Sequence, residues 1–297
     1  MPRCLILLLI SIGIAGQSHG DVQILASIKP LQLIAGAIVD RDELVSSLIP
    51  ANQSPHHYSM RPSDRVALDS AQLIIWIGSE LETFLTGAIA QTDPDQTVLQ
   101  LSKQAELNLL TLRMQFAGLG EGGAAQLDPH LWLDTANALT IARMVTDSVS
   151  QIDPAGADKY RLNLQSFTGQ IDDLNTYMDQ QLQDVRGKPY IVYHDAYQYL
   201  EARYSLEPLL ALAEDTEVQP GIRHILNTRR TIREARPLCL FKDKDSSPAT
   251  IATMLSGYAL NQVELDILGI DIIADADGYI EMMRKIVNDM NSCFKRE

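Results

Sequence analysis

From residue 22 onward the chain alternates short apolar runs with amphipathic stretches, and no other feature limits its fold as tightly. Strand-like runs at 22–27, 44–49 and 73–77 are separated by helix-like stretches at 30–39 and 62–70. The same order returns later, with strands expected at 190–193, 209–213, 238–241 and 262–265 and helices at 196–204, 220–234, 248–258 and 278–293. Such alternation implies parallel sheets with helices on their faces. It breaks once, over 154–185, where Tyr160, Leu164, Phe167, Ile171, Leu174, Met178, Leu182 and Val185 recur in steps of three and four. That spacing predicts one helix of about nine turns. The expected architecture is therefore α/β with two lobes, at 21–150 and 188–297, joined by a long rigid helix within 151–187.

The first twenty residues stand apart. Arg3 precedes the apolar run 5–14, and Ser18-His19-Gly20 leads into Asp21, the layout of a cleavable secretory signal. The run is about half of the roughly 20 apolar residues that span a bilayer. Cleavage near Gly20 removes Arg3 and no acid, so the formal charge moves from −14 to −15. Nucleic acid is thereby an unsuitable partner. Cys4 leaves with the signal, and Cys239 and Cys293 remain. In an oxidising compartment an even pair suggests one disulfide pinning the last helix. Two buried thiols and two metal ligands are the alternatives, and the pair lacks the close spacing of zinc knuckles.

Of six histidines, His19 leaves with the signal and His224 falls among polar neighbours on a helix. His56 follows the run at 44–49, within SPHHYSMRPSD; His130 lies in DPHLWLD; His194 follows the run at 190–193 and opens HDAYQYL. Ligands of open α/β sheets bind in the crevice at the carboxyl ends of strands, where His56 and His194 are expected. Neutral imidazoles bind zinc at about 2.0–2.1 Å in a tetrahedral shell, so three of them leave one position. Asp266, at the end of the run 262–265, is the acid that falls nearest to that position. Each histidine taken alone is better read as a hydrogen-bonded loop residue, and it is the three at equivalent places that favour a metal site.

The strings SPHHYSMRPSD, DPHLWLD and HDAYQYL, in this order around a long central helix, closely resemble the metal-binding receptors of zinc and manganese ABC importers, the ZnuA-like group. The resemblance covers nearly the whole chain after the signal, including IIWIGSELE at 74–82, the Gln219-Pro220-Gly221 turn and the two cysteines. It implies a periplasmic bilobed receptor that holds the metal between its lobes through His56, His130 and His194 and passes it to a membrane permease. Position 57 is filled variably in the group, so no ligand role passes to His57. Manganese-selecting relatives tend to carry a carboxylate where this chain has His194, and manganese favours oxygen donors, so Zn(II) is the implied ion. Asp266 matches an acidic fourth ligand of some relatives. Two departures stand out: residues 113–127 are Gly/Ala-rich where many zinc receptors have a His-rich loop, and 241–247 depart from the group's pattern.

A manganese receptor or a metal-dependent adhesin would share this fold. A zinc hydrolase or hydratase would share three histidines and a water. The chain has neither HExxH nor GxSxG, so the expectation is a receptor and not an enzyme.

Overall fold

The computed structural model describes residues 22–41, 44–113, 126–213 and 221–295. Residues 1–20, expected from the sequence to be an export signal, and most of the Gly/Ala-rich stretch lie outside them. The first sheet is parallel, in the order β2 (Val45–Ser47), β1 (Ile24–Ala26), β3 (Leu73–Trp76), β4 (Thr97–Gln100). Its two central strands are buried at every residue, as expected of strands covered on both faces. β4 is half-buried throughout. Its Thr-Val-Leu-Gln sequence offers no continuous apolar run, which is why the sequence reading passes over it.

α1 (Lys29–Val39) takes Pro30 in its first turn, where a missing N–H costs nothing, and ends on Asp40 at φ 52°. α2 (Pro62–Ser70) and the short α3 (Thr86–Ile89) complete this half of the sheet's cover. The expected nine-turn helix is shorter, α5 (Ala157–Leu182), and it is preceded by a separate helix, α4 (Thr135–Ile152). Pro154 stops α4 because its ring cannot continue the helical ladder. The apolar stripe of α5 is buried as the spacing demands, with Phe167, Ile171, Leu174, Met178 and Leu182 at 0–1% exposure. It packs along α4, α1 and the last helix, α9 (Gly278–Cys293).

The second sheet is also parallel: β5 (Tyr190–Val192), β6 (Cys239–Lys242), β7 (Asn261–Glu264). The run expected as a strand at 209–213 lies beside β5 with one parallel bridge, Val192 to Ala211, and ladder bonds such as Leu212 N–H to the Val192 carbonyl at 3.0 Å. With that piece counted, both sheets place their second chain segment beside the first and then the third and fourth. α6 (Gln198–Tyr204), α7 (Ile222–Ala235) and α8 (Pro248–Leu255) connect these strands.

Strand alternation sorts the second sheet's side chains into two cores. Tyr190, Val192, Cys239 and Phe241 join one continuous core with the first sheet, α5 and α9. Ile191, Tyr193 and Leu240 face the other way, into a smaller cluster with Ile232, Met254 and Leu255. Cys239 and Cys293 form a disulfide, Cα–Cα 6.0 Å, that fastens α9 to the central strand β6. No described helix is long and apolar enough to cross a membrane.

Candidate metal centre

The first two histidine segments leave the sheets by different routes. After β2 the backbone stays in register with β1, Ile49 N–H reaching the Ser27 carbonyl at 3.0 Å, and then enters the turns that carry His56. His130 does not follow a strand: it follows the isolated antiparallel bridge between Thr111 and Leu127 and precedes a 3-10 turn at Leu131–Leu133. The last residue of its motif, Asp134, caps α4 by accepting the Ala136 N–H at 2.9 Å, which fixes the exit of the turn. His194 stands just beyond β5, whose neighbour Tyr193 donates to the Phe241 carbonyl at 2.7 Å.

The three rings converge. Centroids lie 5.5 Å apart for His56 and His130, 6.3 Å for His56 and His194, and 5.3 Å for His130 and His194. One ring nitrogen from each lies within 4.8 Å of the other two, the separation of groups able to share a metal ion. Imidazoles 2.1 Å from a tetrahedral ion stand roughly 3.4 Å apart, so small ring movements close the set.

Two of the rings are braced from behind. His130 Nδ1 lies 2.9 Å from Asp128 Oδ1, which also accepts the His130 backbone N–H at 3.0 Å. His194 Nδ1 lies 2.6 Å from Asp243 Oδ2, while Tyr197 donates its hydroxyl to Asp243 Oδ1 at 2.5 Å. Both carboxylates are buried, and each favours the tautomer that carries its proton on Nδ1 and leaves Nε2 free for an ion. Among the described residues, His194 Nε2 is buried with no hydrogen-bond partner. Burial alone would lower the pKa of His194, but the charge and hydrogen bond of Asp243, aided by Asp245 and Asp195, overcome it and hold the imidazole at about 9. Asp243 responds in kind: burial opposes its ionisation, yet His194 and Tyr197 keep it below the usual carboxylate range.

Asp243 gives the unusual stretch at 241–247 a role that sequence reading missed. The signal was present in the strand register. β5 and β6 pair Val192 with Phe241, so two residues further His194 meets Asp243. Asp128, inside the DPHLWLD string, is the equivalent brace for His130.

The histidines line a cavity of about 360 Å³ whose wall also includes Trp132, Asp243, Leu265 and Asp266. Asp266 therefore reaches the same cavity, but it does not belong to the close group formed by the three histidines. Its Oδ1 accepts the Ile270 N–H at 2.8 Å and its Oδ2 the Asp271 N–H at 3.0 Å. His57 is exposed, lines a separate cleft with Tyr58 and Met60, and is not part of the three-histidine group. His224 Nε2 lies 2.9 Å from the Leu212 carbonyl, tying α7 to the 209–213 segment. Trp132 is fully buried, and its indole N–H reaches the Ile267 carbonyl at 2.9 Å, joining the His130 turn to the far side of the cavity. Asp195 pairs with Arg113 instead of a ligand ring, and Arg113 also meets buried Glu201 at 2.7 Å.

Comparisons with known proteins point to one family. The family model described as "Zinc-uptake complex component A periplasmic" matches residues 24–293. A high-affinity zinc uptake system protein ZnuA from Yersinia pestis is 32% identical over 289 residues, covering 92% of this chain and 91% of that protein. The protein of the same name from Haemophilus ducreyi is 28% identical, covering 97% of both chains. Among solved structures, a crystal structure of ZnuA superposes with a TM-score of 0.77 at 21% identity, covering 92% of this chain and 99% of that one. FpvC from Pseudomonas aeruginosa, solved in complex with Mn2+, shares the fold equally well, with a TM-score of 0.77 at 20% identity, covering 93% of this chain and 99% of that one. With a matching model that spans both sheets and all three histidine loops, the chain belongs to the ZnuA family, the periplasmic component A of zinc-uptake complexes.

Proposed function

We propose that the protein is a periplasmic receptor that captures Zn(II) with His56, His130 and His194 and delivers it to the permease of an ABC importer. One observation carries this reading: three imidazoles converge within 4.8 Å, and the buried Nε2 of His194 points to no protein partner. Zinc suits an all-nitrogen set, whereas manganese prefers more oxygen donors. The fourth position belongs to Asp266, through a lone pair not engaged by its two amide donors, or to water. Residues 21–150 and 188–297 act as the two lobes and 151–187 as their link. Residues 1–20 direct export.

The carboxylates nearest the histidines favour holding an ion over activating its water. Asp128 and Asp243 are each engaged with an imidazole and Asp266 accepts two amides, the setting of braces and ligands rather than of a base held beside a bound water. The test is a metal titration of the mature chain with zinc and with manganese, repeated for His56→Ala, His130→Ala and His194→Ala. Tight zinc binding that the variants lose supports the receptor reading; three variants with full zinc affinity would overturn it. A zinc-dependent hydration or ester-cleaving activity would favour the enzyme instead.

A further inference from the structure

We propose that Tyr199 is a positioning residue for metal capture: its hydroxyl locks the segment that carries His130 onto the helix that follows His194, so the two buried imidazoles meet the ion as a preformed pair. The inference rests on the receptor reading above and concerns how that site is assembled.

α6 starts four residues after His194, and it reaches across to the other lobe. Tyr199 accepts the Leu110 N–H at 2.9 Å and donates to the Asp128 carbonyl at 2.9 Å, so one hydroxyl bridges both chain segments at the Thr111–Leu127 pairing. Gln198 donates to the Thr111 carbonyl at 3.1 Å, and Arg203 reaches Asp134 Oδ1 at 3.0 Å. Glu201 receives Arg113 from the same segment. Every one of these bonds joins α6 to residues 110–134, the stretch that delivers His130. Tyr199 holds the one closest to the site, because the residue whose carbonyl it binds, Asp128, also braces His130 through its side chain.

Tyr199 is 1% exposed, so replacing its hydroxyl leaves a part-buried amide and a buried carbonyl without that partner. Such a loss amounts to about a tenfold change in an equilibrium constant. If the pair is preformed, the change falls on metal association, because part of the free protein then holds His130 away from His194 and only the remainder is ready to bind.

Tyr199→Phe is compared with Tyr204→Phe, a change on the same helix whose hydroxyl bonds Asn175 and Met178 and meets the His130 stretch only past its end, at Thr135. The readouts are zinc association by stopped flow, zinc affinity by chelator competition, and the 15N signals of the His130 ring in the metal-free protein. We expect Tyr199→Phe to slow association and weaken affinity about tenfold and to shift the His130 signals, with Tyr204→Phe within twofold of wild type. Gln198→Ala, which removes one partly exposed bond without opening the core, gives a smaller loss in the same direction and serves if Tyr199→Phe does not fold. The proposal is overturned if Tyr199→Phe retains wild-type association, if both tyrosine variants slow it equally, or if Gln198→Ala has no effect when it must stand alone. His194→Ala is the control for the underlying reading: full zinc affinity there defeats the receptor site itself, whereas its loss beside an unaltered Tyr199→Phe defeats only the positioning role.

Discussion

His130 and His194 differ from His56 in burial and in the elements that carry them. The first two are 4% and 6% exposed, each backed by a buried carboxylate, and their segments are bonded to one another through α6. His56 is half-buried in a run of turns beyond β2. Imidazoles that are already oriented lose little freedom when they bind, so the buried pair should dominate affinity and His56 should complete the shell. The difference is testable because it ranks three chemically identical substitutions.

The largest effect should come from His130→Ala or His194→Ala. Structural zinc sites are worth about 10–16 kcal/mol over four ligands, so losing one oriented ligand, roughly a quarter of that, should weaken zinc binding by several hundred-fold, up to about 1,000-fold. Chelator competition measures it. A loss below about tenfold for both would break the comparison at its root.

The disulfide separates stability from affinity. Cys239 and Cys293 close a loop of 54 residues in the core behind the second sheet, away from the cavity wall. Replacing both by serine should cost up to about 4 kcal/mol of unfolding free energy. Zinc affinity should stay within about threefold, because the α6 bonds that hold the pair remain. Denaturant unfolding and metal titration on the same variant decide it; a parallel collapse of affinity would mean that the pair depends on the core as a whole.

His56→Ala should weaken zinc about 100-fold, less than either buried histidine, with most of the change in dissociation. Stopped-flow traces with excess chelator give that rate. If His56→Ala proves the most damaging of the three, the ranking by burial is wrong.

Much of this was legible in the sequence, for identifiable reasons. The stripe of α5 and the bounds of α2 and α9 follow from periodicity and from proline at a helix start. The three histidines stood out by residue type and by following apolar runs or motifs. What sequence hid was whatever depends on two distant segments meeting. Tyr199 reads as one more aromatic on an amphipathic helix until Leu110 and Asp128 are brought against it. Asp243 was recoverable, but only after β5 and β6 were known to be neighbours in a given register. β4 was lost because its sequence is half-polar, and the end of α5 was set too late because Val185 continues the apolar spacing past Leu182.

Asp243→Asn gives the smallest effect and the most informative one, because its sign depends on pH. In the free protein the Asp243 carboxylate holds His194 at about 9, above the ordinary value near 6.5. That interaction contributes stability that is complete below about 6.5 and is lost as the pH rises through about 9. Zinc at Nε2 must displace the second proton, so between these limits wild-type affinity should climb about tenfold per pH unit, with one proton released from His194 per ion. In Asp243→Asn only Asp245 and Asp195 still oppose burial, the imidazole should be neutral near pH 7.5, and that proton release should disappear. The variant also loses the basicity that the carboxylate lends the ring, a cost of about 10–100-fold in affinity. The full cost should therefore show near pH 9, where wild-type His194 has already lost its proton, and should shrink toward pH 7, where the wild type still has a proton to displace. Calorimetry in buffers of different ionisation enthalpy counts the protons directly. Equal proton release by the two proteins at pH 7.5 would show that Asp243 does not control His194, and the pair would then owe its readiness to the backbone bonds of Tyr199 alone.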